Sequence, residues 1–230
     1  MREHPRLGVR RPIVTSEPDV SEAYKAAVEH ALRWAWTRVR ARWPEVVTNE
    51  REENITTLMS RVLNEQGTDG RRLAPGLSSF ETVNRGSKVV SVDGRVEKAP
   101  DLVFRPIFAK GVRHREDWGV FVECKIIGPE SHHSPKEYCQ KGVARFAKGE
   151  YAPRMPSAAM LAYVRDGRLP YVALSTVLGS TYDTQSHRAG AKQDVSTSHH
   201  RRDRLPQPCV DIMLAHVWLD AHTEPSRGGG

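Results

Sequence analysis

The chain of 230 residues has few cysteines and no long apolar run, and each shortage excludes a class of protein. Its three cysteines form no CxxC pair, which argues against a disulfide framework and against a zinc ribbon. The longest uninterrupted apolar run, residues 158–164, is far shorter than the roughly 20 residues of a membrane-spanning helix. The first residues carry charge without an apolar stretch, so we expect no secretory signal, no membrane partner and a reducing, cytoplasmic location.

The positive charge comes mainly from arginine. The chain has 26 arginines and nine lysines against 28 acidic residues, which gives a net charge of +7. Arginine pairs well with phosphate oxygens, so this composition permits nucleic-acid binding. A net charge of this size is equally compatible with an ordinary globular protein, so it does not by itself assign a partner.

Composition also suggests how the chain is divided. Residues 1–18, polar and rich in arginine and proline, are predicted to form a basic N-terminal arm. Residues 19–220 are predicted to form a single domain, and residues 221–230 a disordered tail. Residues 179–207 are rich in Ser, Thr, Arg and His, which predicts a long loop.

The spacing of apolar residues predicts the order of helices and strands. A helical repeat predicts a first helix that Asp19 caps and Pro44 ends, a second over about 50–66, and a third that Ser134 caps. Residues 171–177 fit either a strand or a short helix. Strands are predicted over 79–84, 88–92, 101–108, 118–127, 158–164 and 210–219. This order indicates an α/β (α+β) domain with a central mixed β-sheet flanked by helices.

The predicted hairpin of strands 101–108 and 118–127 carries the most informative residues. Side chains two apart in a strand share a face, so Glu123 and Lys125 point the same way, opposite an apolar face that includes Cys124. A charged pair inside an apolar strand is costly unless it has a function. Asp101, at the start of the pairing strand, is placed to approach the same face.

Two carboxylates and an ammonium suit a hard metal ion. Mg²⁺ prefers oxygen ligands and is often bound through one or two carboxylates, so Asp101 and Glu123 are the predicted metal ligands, with Mn²⁺ as a substitute. Such a metal lowers the pKa of a bound water and offsets charge at a phosphate. Lys125 would then position or deprotonate the attacking water, or stabilise the transition state.

The pattern Pro100-Asp101 … Glu123-Cys124-Lys125, on a predicted hairpin followed by a helix, resembles the PD-(D/E)XK nuclease superfamily. The core of that superfamily runs helix, three strands, helix, strand, and residues of about 48–165 fit this order. The resemblance implies a restriction-endonuclease-like core and a metal-dependent endonuclease of the restriction or phage-defence type.

The resemblance also implies further site residues. Members often add an acid from the helix before the sheet, and Glu52 is the candidate, although Asn49 and Glu52 also fit a capping box and Glu53 and Glu81 are alternatives. The helix after the motif strand often presents a Gln, Lys or Arg to the site. The residues predicted to contact nucleic acid, there and in two basic segments, are Arg113, Arg115, Gln140, Lys141, Arg145, His200 and Arg202. A solvated basic surface is the alternative for each.

The expected substrate is DNA rather than RNA. Little of the chain is left for a separate domain that reads sequence, so target recognition would come from a homodimer or from a partner subunit of a defence complex. Two other functions stay open: a non-catalytic nucleic-acid-binding or assembly subunit with the same fold, and an RNA or tRNA nuclease.

Overall fold

The computed structural model describes residues 16–85, 99–202, 205 and 209–222. The helices are α1 (Glu22–Arg42), α2 (Pro44–Asn49), α3 (Glu52–Leu63), α4 (Pro135–Tyr138), α5 (Ala144–Ala147) and α6 (Tyr171–Leu178). The strands are β1 (Leu102–Phe104), β2 (Val120–Ile127), β3 (Ser157–Val164), β4 (Thr184–Ala189), β5 (Val195–His200) and β6 (Ile212–Asp220). Nearly all of the predicted arm, the tail from residue 223 and the predicted strand 88–92 lie outside the described residues.

The six strands form one mixed sheet in the order β1-β2-β3-β6-β5-β4. The central strands β2, β3 and β6 are parallel, whereas β1 is antiparallel to β2, and β5 is antiparallel to both β6 and β4. The predicted hairpin of β1 and β2 and the predicted mixed sheet are therefore confirmed. In the part of the chain described above, no helix is both long enough and apolar enough to cross a membrane.

Helices cover both faces of the sheet. On one face, Trp36 of α1 stacks on Tyr163 of β3 and Thr56 of α3 hydrogen-bonds the hydroxyl of the same tyrosine. On the other face, Tyr138 of α4 hydrogen-bonds His216 of β6. The buried apolar side chains of both layers join in one core. Because helices cover both faces, one face of β2 lies toward α3 and the other lies toward α4.

The helix that follows β2 is continuous but not regular. Ser134 caps it as predicted, because its hydroxyl accepts a 3.3 Å hydrogen bond from the Glu137 N–H, and Pro135 occupies the first turn. A π turn, Cys139–Val143, joins α4 to α5. We refer to these three pieces as the α4–α5 helix.

The predicted cap of the first helix is wrong, and the alternative of a capping box of Asn49 and Glu52 does not form. Ser21, not Asp19, caps α1 by accepting from the Tyr24 N–H, and the Asp19 carboxylate instead binds Lys25 at 2.6 Å. Helix α3 begins after Arg51 without a side-chain cap, and Asn49 lies in α2. The carboxylate of Glu52 is therefore not engaged in a capping box.

The predicted long loop 179–207 is also wrong, because most of it is the β4–β5 hairpin. Ser196, Ser198 and His200 alternate into the interior of β5. Contacts within β5 and with its neighbouring strands satisfy their polar atoms: Ser198 Oγ lies 2.7 Å from His200 Nε2 and 2.7 Å from His216 Nε2, and Ser196 Oγ lies 2.8 Å from His187 Nε2. The polar composition suggested a loop, while the alternation is that of a strand. Residues 171–177, left open between strand and helix, belong to α6.

Candidate active site

The site forms where β2 extends beyond its short neighbour β1. Strand β1 pairs only with Val120, Phe121 and Val122. Past that point, two carboxylates take the place of a strand: Asp101 Oδ2 accepts a 2.8 Å hydrogen bond from the Cys124 N–H, and Glu52 Oε2 accepts one of 3.1 Å from the Ile126 N–H. The backbone of β2 therefore fixes both acids along its free edge.

Lys125 links the acids. Its ammonium nitrogen lies 2.7 Å from Glu52 Oε1, 2.9 Å from Glu123 Oε1 and 2.6 Å from the Cys124 carbonyl oxygen. Burial acts to lower the pKa of Lys125, but the negative charges of Glu123, Glu52 and Asp101 outweigh it and raise that pKa. Lys125 is therefore a fixed ammonium ion at neutral pH.

Glu123 is the most deeply buried acid of the site, with 5% of its side chain exposed. Burial and the nearby charge of Asp101 raise the pKa of Glu123 to about 8, against the opposing effects of Lys125 and Arg145. Burial also raises the pKa of Glu52, although Lys125 opposes it. The positive charges near Glu123 and Glu52 therefore do not fully offset the cost of burying their carboxylates.

The donor set is compatible with a hard divalent cation. Among the described residues, no group of three or more His, Cys, Asp or Glu side chains is arranged to hold a metal. Two carboxylates with water are nevertheless a usual Mg²⁺ arrangement, and Asp101 and Glu123 would supply them. The charge of Asp101 disfavours ionisation of Glu123, and a cation between them would remove that repulsion.

The α4–α5 helix packs closely against Lys125 at Gly142, inside the π turn. A Cβ atom at Gly142 would overlap Met160 Cε and would lie 3.4 Å from Lys125 Cγ. The missing side chain therefore lets the helix backbone approach the aliphatic part of Lys125. The glycine inside this predicted helix thus has a packing reason.

A cleft of about 600 Å³ is lined by Glu52 and Lys125, whereas Asp101 and Glu123 are not among its lining residues. Of the predicted contacts on the α4–α5 helix, Lys141 and Arg145 line this cleft, whereas Gln140 is exposed and is not among its lining residues. Lys141 pairs with Glu137. Arg145 Nε lies 3.9 Å from Glu123 Oε1, so this guanidinium reaches from the cleft wall to the acid cluster.

Sequence reasoning missed Tyr151 and two arginines of the cleft. The Tyr151 hydroxyl accepts a 2.6 Å hydrogen bond from Arg145 Nη1, and burial together with the charge of Glu123 raises the pKa of Tyr151 to about 12. Arg51 and Arg165 also line the cleft. The guanidinium of Arg165 donates hydrogen bonds to the carbonyls of Val47 and Glu50. These positions depend on tertiary packing, and no local pattern marks them.

Of the three acids considered for the preceding helix, Glu52 is the one that contacts Lys125. Glu53 is exposed. Glu81 pairs at 2.6 Å with Arg115, whose guanidinium also donates to the Pro106 carbonyl at 2.8 Å. The guanidinium of Arg115, which was predicted to contact nucleic acid, is therefore partly engaged within the protein. Arg113 is exposed, and its backbone N–H donates to Glu17 at 2.9 Å.

Two predicted phosphate contacts are wrong, because their side chains lie in the interior. His200 and Arg202 are 0% and 1% exposed. The guanidinium of Arg202 donates to backbone carbonyls, among them those of Phe146 at 3.1 Å and Met155 at 2.9 Å. Burial lowers the pKa of His200 to about 4, so this imidazole is neutral at physiological pH. Neither side chain can reach a bound nucleic acid.

The three cysteines are buried and free, and burial raises the pKa of the Cys124 thiol on the face opposite Lys125. A thiolate nucleophile is therefore not part of this site. No family model, no curated protein and no solved structure matches this chain.

Proposed function

We propose that the protein is a metal-dependent nuclease that hydrolyses phosphodiester bonds in DNA. The position of Lys125 carries this proposal, since its ammonium lies 2.7 Å from Glu52 and 2.9 Å from Glu123 beside the edge that Asp101 caps. Three buried or half-buried acids around one lysine are costly for stability alone. The acids are suited to binding a divalent cation, and the lysine is suited to binding a phosphate oxygen.

The order of elements supports the same proposal. Isolated antiparallel bridges join Phe80 to Pro106 and Asn84 to Val103, so the segment before β1 runs alongside it. The predicted strand 79–84 is wrong, because these residues form only the two isolated bridges and no strand. With this bridged segment in the place of the first strand, α3, β1, β2, the α4–α5 helix and β3 fit the order helix, three strands, helix, strand. That is the order of a restriction-endonuclease-like core, which we include in the proposal.

Asp101 and Glu123 would hold Mg²⁺, with Mn²⁺ as a substitute. When bound, such a metal lowers the pKa of its water and offsets charge at the scissile phosphate. Because the pKa of Lys125 is raised, its ammonium donates to the phosphate oxygens and stabilises developing negative charge, and it does not act as the base. Glu52 holds the ammonium at 2.7 Å and so positions it.

The cleft would hold the substrate backbone. Its wall carries five basic side chains, Arg51, Lys125, Lys141, Arg145 and Arg165, against four acids, Glu50, Glu52, Glu130 and Glu137. A phosphate chain that contacts these basic groups displaces counterions, so binding should weaken steeply as salt is raised. We include in the proposal that a second copy or a partner subunit supplies target recognition.

The test is a cleavage assay on supercoiled plasmid, linear duplex, single strands and RNA, each with Mg²⁺, Mn²⁺ or EDTA. The wild-type protein should cut DNA only with a metal. Lys125→Met should reduce the rate by about 100-fold or more, the scale of losing one transition-state donor. Lys148→Met, which removes an exposed lysine just after the α4–α5 helix, should cut like the wild type.

The other outcomes separate the alternatives. Cleavage of RNA alone would replace the DNA substrate with RNA. Binding of duplex without cleavage under any metal condition would overturn the nuclease proposal in favour of a non-catalytic binding subunit. Equal rates for Lys125→Met and Lys148→Met would show that Lys125 has no part in any cleavage observed.

A further inference from the structure

A second pocket lies at the C-terminal ends of β3 and β6 and shares no lining residue with the cleft of the candidate active site. Its volume is about 270 Å³. Helix α1 contributes one wall, with Arg33, Trp36 and Arg40, and the turn after β3 contributes Arg168 and Leu169. The carboxyl ends of parallel strands are a common place for ligands in α/β sheets.

Two side chains of this pocket carry buried hydrogen-bond donors without an acceptor. Arg33 Nη2 and Trp218 Nε1 are buried and have no hydrogen-bond partner among the described residues. The other nitrogens of Arg33 are occupied: Nε donates to Glu29 at 2.9 Å, and Nη1 pairs with Asp194. Buried donors in folded proteins nearly always have a partner. Both atoms lack accessible surface in this conformation, so an acceptor bound in the pocket would satisfy them only after a side-chain rotation turned them toward it.

The charges of the pocket favour an anion as that acceptor. Three guanidinium groups, those of Arg33, Arg40 and Arg168, face two carboxylates, those of Asp194 and Asp220. The pair between Arg40 and Asp220 is long, at 3.5 Å, and half-exposed. Arg168 is exposed, and its guanidinium has no partner among the described residues. The pocket therefore has a net positive charge and one arginine free to bind a ligand.

The remaining wall is apolar. It is lined by Trp36, Val164, Leu169 and Leu219. Leu169 is 52% exposed. Such a wall favours an anion that carries an apolar group over a bare inorganic ion.

We propose that this pocket binds an organic phosphate, with its oxygens on the arginines and its apolar group against Leu169 and Trp36. A phosphate monoester offers three terminal oxygens to the several donors of the pocket, whereas a carboxylate or the phosphodiester of a nucleic-acid backbone offers two. The site is independent of the proposed nuclease activity, because none of Glu52, Asp101, Glu123 and Lys125 lines the pocket. The three terminal oxygens favour a small phosphate monoester, and a DNA duplex serves in the test as the competing source of phosphate.

Calorimetric titration of the full chain with phenyl phosphate tests the proposal. Inorganic phosphate, benzoate and a short DNA duplex are the comparison ligands, all at one ionic strength. Phenyl phosphate should bind more tightly than inorganic phosphate and benzoate. Arg168→Ala should weaken phenyl phosphate by about 10-fold, the scale of one charge-assisted contact. Arg188→Ala, which removes an exposed arginine of β4 and the same unit of charge, should leave it unchanged.

Trp218→Phe keeps one aromatic ring but removes the fused five-membered ring together with its N–H, so it should also weaken binding. If this variant does not fold, Arg168→Ala still decides, because the exposed Arg168 guanidinium has no hydrogen bond or ion pair among the described residues to lose. Displacement of phenyl phosphate by the duplex would identify a nucleic-acid backbone as the source of the phosphate, and failure to displace it would identify a small molecule. No binding of phenyl phosphate, benzoate bound more tightly than phenyl phosphate, or equal affinities in Arg168→Ala and Arg188→Ala would overturn the proposal.

Discussion

The carboxylate of Asp101 is hydrogen-bonded to the backbone of Cys124, with 2.8 Å between Oδ2 and the amide nitrogen. One acid thus has two tasks: it satisfies an N–H at the free edge of β2, and it places a negative charge beside Glu123. Substitutions that keep one task and remove the other can separate structure from chemistry at this position.

We expect Asp101→Asn and Asp101→Ala to abolish metal-dependent cleavage alike but to differ in stability. The asparagine keeps an oxygen that accepts from Cys124, so the free energy of unfolding should stay near that of the wild type. The alanine leaves this N–H without its partner and should lower the free energy of unfolding by about 1–3 kcal/mol. Urea unfolding measures the difference, and equal stability of the two variants would contradict it.

Glu123 should make both metal affinity and stability depend on pH. Its pKa is raised from 4.5 to about 8, so below pH 8 a cation must displace a proton to bind, and Mg²⁺ affinity should rise with pH up to about 8. In the metal-free protein the folded state retains a proton that the unfolded chain has released. The free energy of unfolding should therefore fall as pH rises from 4.5 to about 8.

Glu123→Gln removes this titration. Thermal melts in EDTA across that pH range should show a wild-type protein that loses stability relative to the Gln variant as pH rises. Parallel pH profiles for the two proteins would mean that burial and Asp101 do not raise the pKa of Glu123 in solution.

The part of the site that follows from local geometry was predictable from sequence. Glu123 and Lys125 share a face because strand side chains alternate, and that face is the one toward Met160 of β3 and the α4–α5 helix. The link from Lys125 to Glu52 spans more than 70 positions along the chain. The sequence could therefore name Glu52 only as one of three candidate acids.

The errors arise where composition competes with tertiary context. The segment that contains His200 and Arg202 is basic and polar, as a surface loop would be. Its histidine is instead satisfied by Ser198, and its arginine by backbone carbonyls that come together only after folding. Local sequence does not show whether carbonyls 47 to 56 positions away will surround a guanidinium.

Gly142→Ala should impair the site without touching an acid. The added methyl group overlaps Met160 and approaches Lys125, so the helix or Lys125 must shift. We expect a loss of about 1–3 kcal/mol in the free energy of unfolding, typical of overpacking, and slower cleavage. Combining it with Met160→Ala, which makes room for the methyl group, should restore part of the cleavage rate. Equal rates for the single and double variants would show that the overlap with Met160 is not what slows cleavage.

Arg202 should act on stability and not on nucleic-acid affinity. Arg202 is 1% exposed, and its guanidinium donates to the carbonyls of Phe146 in the α4–α5 helix, of Ala152 and Met155 before β3, and of Val210 before β6. Arg202→Met removes these donors and leaves several buried carbonyls unpaired, which should lower the free energy of unfolding by about 3–5 kcal/mol. Arg145→Met is the matched comparison, since Arg145 lines the cleft and should weaken duplex binding with a smaller loss of stability. Urea unfolding measures the stability of both variants, and duplex titration measures their affinity for DNA. If folded Arg202→Met binds duplex more weakly than Arg145→Met does, the side chain of Arg202 contacts nucleic acid and this prediction is wrong.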